Sequence, residues 1–169
     1  VRNSFKKFYS KKYGFIADRI KENGKFDFSL RPNQVIALSI SKDVFDKDEI
    51  YSSLKYVKKY LLTPYGLRTL APFEKGFKEI YTGKLKKRDS AYHQGTVWPF
   101  LFQFYYDIVK PNFYELESRF LKLLKKTNLL FPEIFDATYP YREKGAIHQA
   151  WTVAGLLYIM FKYGKIQKL

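Results

Sequence analysis

The sequence predicts an all-α fold of about three αα-hairpins, with long loops gathered at one end. Helical periodicity is the strongest pattern, because apolar residues recur every three to four positions in most segments. Two kinds of helix alternate. Amphipathic helices with a charged side are typical of an outer layer, and helices that are apolar throughout are typical of an inner layer. The loops that lead into the apolar helices are long.

The first three helices have different signals. Residues 4–20 are predicted to form a helix because aromatic and apolar residues recur along them. Pro32 is predicted to begin the second helix, since proline is tolerated in the first helical turn. The third is predicted over residues 47–62, whose apolar residues follow the i, i+4, i+7, i+11 pattern.

The last three helices complete the alternation. The fourth is predicted to begin near Thr96 and is almost wholly apolar. The fifth, over residues 112–127, is amphipathic and carries lysines in its last turn, as the helix dipole favours. The sixth is predicted to begin near Ile147 and to end at Gly164, a common helix-ending residue.

Two long loops, residues 63–95 and 128–146, suggest a functional face. Loops of this length are uncommon in compact domains unless they have a function. If consecutive helices are antiparallel, the N-terminal ends of the apolar helices lie at the same end of the molecule. We therefore expect three polar stretches to converge there: FSLRPNQ (28–34), RDSAYHQGTVWP (88–99) and EKGAIHQAW (143–151).

Composition narrows the function. The chain has 169 residues, which suits one domain, and no apolar run long enough to span a membrane. It lacks cysteine and has two histidines, so we expect no disulfide, no metal site and no cofactor, and a cytoplasmic location. The net charge of +15 raises nucleic-acid binding as an alternative, but the lysines are spread along the chain. Motifs of nucleotide-binding enzymes, zinc proteases and serine hydrolases are absent.

The segment FPEIFD (131–136) holds the best catalytic candidate, Glu133. A carboxylate in an apolar, aromatic loop can serve as a general acid or base. The simpler interpretation is a loop carboxylate that caps a turn. For Trp98 and Trp151, the sequence is equally consistent with core packing and with stacking on a sugar.

Five blocks together resemble a known family. FDFSLRPNQVIALS, LLTPYGLRTL, RDSAYHQGTVWPF, PEIFD and KGAIHQAW are similar, in order and spacing, to the C-terminal glucosidase domain of glycogen debranching enzymes, the amylo-α-1,6-glucosidases. The resemblance covers residues 26–151. It implies an (α/α)6 toroid similar to glucoamylase, of which this chain, residues 1–169, is a single partial domain, the C-terminal half.

The resemblance also implies the chemistry. α-1,6-Linked glucose at a trimmed branch is hydrolysed with inversion, and Glu133 matches the general base. The general acid, an aspartate of the missing half, has no match here, so we expect the chain to be inactive alone. The implied substrate-binding residues lie in the five blocks: Arg31, Asn33, Gln34, Tyr65, Arg68, Asp89, Tyr92, His93, Gln94, Trp98, Gln149 and Trp151.

The expected partners are an α-glucan and either a complementary N-terminal half or a second copy of the chain, because half a toroid exposes an apolar edge. The alternatives are a non-catalytic glucan-binding or structural module and a basic nucleic-acid-binding protein. The second of these leaves the five polar blocks unexplained.

Overall fold

The structure, a computed structural model, describes residues 2–164, except the side chain of Phe113. It is a mixed fold, with 44% helix and 10% strand, and it contains a four-stranded antiparallel sheet and two small hairpins. The prediction of an all-α half toroid of three αα-hairpins is therefore wrong. Its error lies in the loops and the N-terminal segment, where short strands pair over long sequence distances that helical periodicity does not detect.

The helices account for most of the regular structure. Among residues 2–164 they are α1 (Arg2–Lys6), α2 (Asn33–Ile40), α3 (Lys47–Tyr56), α4 (Leu85–Asp89), α5 (Phe102–Val109), α6 (Phe113–Thr127) and α7 (Ala150–Tyr163). A π-helical turn, Val57–Leu61, extends α3, and a 3-10 turn, Pro99–Leu101, precedes α5. Across this part of the chain, no helix has both the length and the apolar character that crossing a membrane requires.

The N-terminal segment departs most from its prediction. In place of one helix over residues 4–20, α1 is followed by two hairpins: β1 (Tyr9–Ser10) with β2 (Phe15–Ile16), and β3 (Arg19–Ile20) with β4 (Phe26–Asp27). Gly14 and Gly24 turn the chain at φ +77° and +76°, a backbone region that favours glycine and lies outside a helix. The aromatic residues that suggested a helix instead pack between the hairpins, as Phe8 does edge-on against Phe26.

The apolar helices form the centre of the molecule, as their composition predicted. Helix α5 lies between α2 and α7 and packs against both. Val35 and Leu38 of α2 and Leu156 and Ile159 of α7 are buried. α5 begins at Phe102, later than expected, because Trp98 lies in a strand and Pro99 starts the 3-10 turn.

The amphipathic helices α3 and α6 have well-formed N-termini. Asp46 and Glu49 make a reciprocal capping box at α3. The Asn112 side chain accepts a hydrogen bond from the backbone N–H of Glu115 at α6. The buried Leu116 and Leu123 place the apolar side of α6 against α5 and α7, so the predicted span of this helix is confirmed.

The two long loops meet in one sheet. Its strands, in spatial order, are β5 (Leu67–Arg68), β6 (Val97–Trp98), β7 (Ile134–Phe135) and β8 (Glu143–Lys144), all antiparallel. Their β-branched, aromatic and leucine residues suit a pleated, buried surface. Val97, Ile134 and Phe135 are fully buried. This sheet fixes the register of the segment that directly follows Glu133.

Candidate functional site

Glu133 immediately precedes β7, and its carboxylate is held by three donors. Its backbone N–H donates to the carbonyl of Ala146 at 2.9 Å, which extends the β7–β8 pairing. Oε1 accepts hydrogen bonds from the Tyr92 hydroxyl and from Gln149 Nε2, the latter at 3.3 Å. Oε2 accepts one from the Ala146 N–H at 3.1 Å. An oriented carboxylate of this kind can take a proton from a water molecule.

Two neighbouring side chains stay neutral around this carboxylate. Burial raises the pKa of Tyr92 well above its usual value, and the hydrogen bond to Glu133 raises it further, so the phenol remains a donor. Partial burial against Tyr92 and Trp98 lowers the pKa of His93, as does the Arg31 charge, while Glu133 opposes them. The imidazole of His93 is exposed and stacks on Trp98, with 5.3 Å between ring centroids.

The guanidinium of Arg31 joins the first polar block to the second. It donates to the carbonyls of His93 at 2.7 Å and Thr69 at 3.0 Å, and to Oε1 of Gln94 at 2.9 Å. Because these contacts occupy both terminal nitrogens, Arg31 fixes the loop that carries Tyr92. Together with the Tyr92 and Gln149 bonds to Glu133, they confirm that the predicted polar stretches meet on one face.

Asn33 and Gln34 also act within the protein. Asn33 donates to Asp18 at 2.7 Å, and Asp18 lies 3.8 Å from Arg31 Nε. Burial is the main cause that raises the pKa of Asp18. Gln34 is buried and donates to the carbonyl of Arg31 at 3.2 Å. Asp18 and Gln34 therefore both contact Arg31, and Asn33 holds the Asp18 side chain.

Tyr65 and Arg68 form a second cluster beside β7. Arg68 donates to the carbonyls of Ala137 at 2.8 Å and Tyr60 at 3.1 Å. Tyr65 stacks on Phe135, with 5.1 Å between ring centroids. Both residues therefore hold the loop after FPEIFD against the loop that begins at residue 63.

The structure places Trp98, Trp151 and Asp89 in three different environments. Trp98 is 2% exposed, which favours core packing, and its Nε1 donates to Thr96 Oγ1 at 3.1 Å. Trp151 is 44% exposed and stacks on Phe100 at 4.8 Å, so one face of its indole is available. Asp89 is exposed at the end of α4, and none of the hydrogen bonds to Glu133 comes from it.

The structure adds one residue that the sequence reasoning missed. Gly145 has φ +73°, and a Cβ built on it would overlap Glu133 Oε2 and lie 2.9 Å from Glu133 Cβ. A glycine before the block AIHQAW was the available signal, since a lone glycine between strand and helix marks a close backbone approach.

Within residues 2–164, no group of three or more His, Asp or Glu side chains is placed to hold a metal ion.

Comparison with known proteins identifies the family. The sequence profile described as amylo-alpha-1,6-glucosidase matches residues 1–158. The chain is 25% identical over 152 residues to the glycogen debranching enzyme of Saccharomyces cerevisiae, an alignment that covers 83% of this chain. The same alignment spans only 9% of the length of the yeast protein. The resemblance drawn from the five blocks is thereby confirmed: the chain belongs to the amylo-α-1,6-glucosidase family.

Proposed function

We propose that this chain is part of a glycogen debranching enzyme, in which Glu133 is the general base for hydrolysis of α-1,6-glucosidic branch linkages with inversion. The observation that carries the proposal is the set of three hydrogen bonds that orient the Glu133 carboxylate, from Tyr92, Ala146 and Gln149. A half-buried carboxylate that is oriented by donors from two distant segments of the chain is expected at a catalytic position.

In this mechanism Glu133 takes a proton from the water that attacks the anomeric carbon. Inverting glycosidases place a general acid about 6.5–9.5 Å from the base, on the opposite side of the scissile bond. The aspartate that the family resemblance implies as the general acid has no match among residues 2–164. We therefore assign the general acid to a polypeptide segment outside these residues, and we expect little activity from the chain alone.

We assign the glucan contacts to those predicted substrate-binding residues whose side chains are exposed. His93 and Trp151 are exposed beside the Glu133 cluster, and the indole and imidazole offer a stacking face and a polar edge to a sugar. The other predicted substrate residues that are engaged within the protein, such as Arg31 and Arg68, shape the site by holding its loops.

The exposed side of α7 favours the binding of a partner segment. Leu157 and Phe161 lie four residues apart, one helical turn, and are 49% and 70% exposed. Exposed apolar surface of this kind marks an interaction site. Because the chain matches only 9% of its yeast relative, we propose that the occupant is an N-terminal segment of the same enzyme, which also brings the general acid.

The test combines the two parts. Glucose release from a branched limit dextrin is measured in three mixtures: this chain alone, the complementary N-terminal segment alone, and the two together. We expect robust turnover only from both together. In that complex, Glu133→Gln should reduce turnover to background while glucan binding is retained, and Glu22→Gln, an exposed hairpin carboxylate, should leave turnover unchanged.

Three outcomes would contradict parts of the proposal. Full activity of the chain alone would refute the assignment of the acid to another segment. An active Glu133→Gln complex would favour a non-catalytic glucan-binding module. A chain that forms a stable homodimer through α7, and does not bind the N-terminal segment, would refute the proposed occupant.

A further inference from the structure

Tyr92 was expected to bind substrate, but its ring is already packed within the protein. Trp98 and His93 contact the ring edge-on, with centroids 4.9 Å and 4.7 Å away, and Tyr81 lies 5.8 Å away. Its carbonyl accepts from Thr96 Oγ1 at 2.5 Å and from Trp98 Nε1 at 3.3 Å. Ring and backbone are therefore both fixed before any ligand binds.

The two oxygens of the Glu133 carboxylate are held unequally. Oε1 accepts two hydrogen bonds, from Tyr92 and Gln149, and Oε2 accepts one, from the Ala146 N–H. A carboxylate oxygen has two lone pairs, so Oε1 is filled while Oε2 retains an acceptor position. Gly145 approaches Oε2 closely from one side, since the Cβ that any other residue carries would overlap this oxygen.

We propose that Tyr92 is a positioning residue, which anchors Oε1 of Glu133 so that Oε2 faces the water to be activated. This inference rests on the proposed function of Glu133. It replaces a sugar-binding role for Tyr92 with one that acts through the carboxylate. The raised pKa of Tyr92 agrees with it, because a phenol that stays protonated can only donate to the carboxylate.

The kinetic test uses Tyr92→Phe in the complex with the N-terminal segment. Phenylalanine keeps the ring packing and removes only the hydroxyl. We expect kcat to fall about 10- to 100-fold, the range for losing a hydrogen bond to a charged group, with KM changed less than about twofold. Tyr81→Phe is the matched control, because it removes a neighbouring hydroxyl that makes no bond to Glu133, and it should leave both constants unchanged.

A second measurement does not depend on activity. With tyrosine labelled at Cζ, the Cζ resonance of Tyr92 at neutral pH reports the hydrogen bond of its hydroxyl in the chain alone, and thermal unfolding checks that each variant is folded. Glu133→Gln should shift this resonance upfield, since a neutral amide oxygen is a weaker acceptor than a carboxylate. Glu22→Gln should leave it unchanged.

The outcomes separate the two proposals. A raised KM with unchanged kcat in Tyr92→Phe would overturn the positioning role in favour of sugar binding, with Glu133 still the base. An unmoved Tyr92 Cζ resonance in Glu133→Gln would overturn the hydrogen bond itself. Turnover that survives Glu133→Gln would overturn the proposed function, and the positioning role with it, even if the Tyr92 resonance moves.

Discussion

Replacing Gly145 by alanine should disturb Glu133 through a purely steric effect, and the chain supplies its own reference for that effect. Gly145 and Gly24 are both exposed and have almost the same backbone angle, φ +73° and +76°. A Cβ on Gly24 meets nothing within 4 Å, whereas a Cβ on Gly145 overlaps the Glu133 carboxylate. The difference between the two alanine variants therefore measures the contact with Glu133 alone.

The magnitude follows from this pairing. Alanine in the left-handed region costs about 1–2 kcal/mol, and the lower entropy of the unfolded chain returns about 0.4–1 kcal/mol, equally in both variants. In Gly145→Ala the carboxylate must also move away from its donors. A hydrogen bond to a charged group contributes about 1.5–3 kcal/mol, and water replaces part of it at this half-exposed site. We expect Gly145→Ala to lose about 1–3 kcal/mol more than Gly24→Ala.

Urea unfolding of the wild type and of the two variants gives these free energies. Equal dependence of the unfolding free energy on urea concentration in all three proteins shows that the values can be compared. In the complex with the N-terminal segment, Gly145→Ala should also lower turnover, and Gly24→Ala should not. Equal loss of stability in the two variants, together with unchanged turnover, would refute the close approach of Gly145 to Glu133.

Three further predictions concern stability and association. Hydrogen bonds from Ser29 and Arg19, with the charge of Lys21, lower the pKa of Asp27 to about 2, so its stabilisation is complete above about pH 4 and is lost as the pH falls towards 2. Asp27→Asn should therefore destabilise the chain by about 1–2 kcal/mol at pH 7, and thermal unfolding should show the gap to the wild type closing between pH 4 and pH 2; a gap independent of pH would contradict this. Trp98→Ala should cost about 3–5 kcal/mol in urea unfolding, and Trp151→Ala about 0.5–1.5 kcal/mol, because the first indole is buried and the second is 44% exposed, with contacts to Phe100 and Trp98; similar losses would contradict the burial difference. Leu157→Ser on the exposed side of α7 should change stability by less than about 0.5 kcal/mol, yet weaken association with the N-terminal segment at least about tenfold in calorimetric titration; unchanged affinity would place the interface elsewhere.

The parts of the fold that were predicted well are those with local signals. Helix α6 has an Asn112 cap, an apolar side and basic residues in its last turn, all visible in the sequence. The span of α2 after Pro32 and the end of α7 at Gly164 were likewise readable from single residues. Each of these signals acts within one or two helical turns, so no distant contact was needed to interpret it.

The strands were missed because their pairing is long-range. β5, β6 and β7 are two residues each and come from segments about 30 residues apart along the chain. Nothing in Leu67–Arg68 alone distinguishes a strand from a loop. The N-terminal hairpins were missed for a related reason, since aromatic residues that pack between strands can imitate the spacing of an amphipathic helix.

By itself, the sequence determined the family, through five polar blocks in a fixed order, and singled out Glu133 as the candidate base. Only the tertiary structure decided which of the accompanying residues reach the carboxylate. Tyr92 and Gln149 do, whereas Arg31 is occupied by backbone carbonyls and Trp98 is buried. The physical reason is that a side chain's type fixes which bonds it can make, but the pairing of distant loops in the sheet fixes which partners lie within about 3 Å of it.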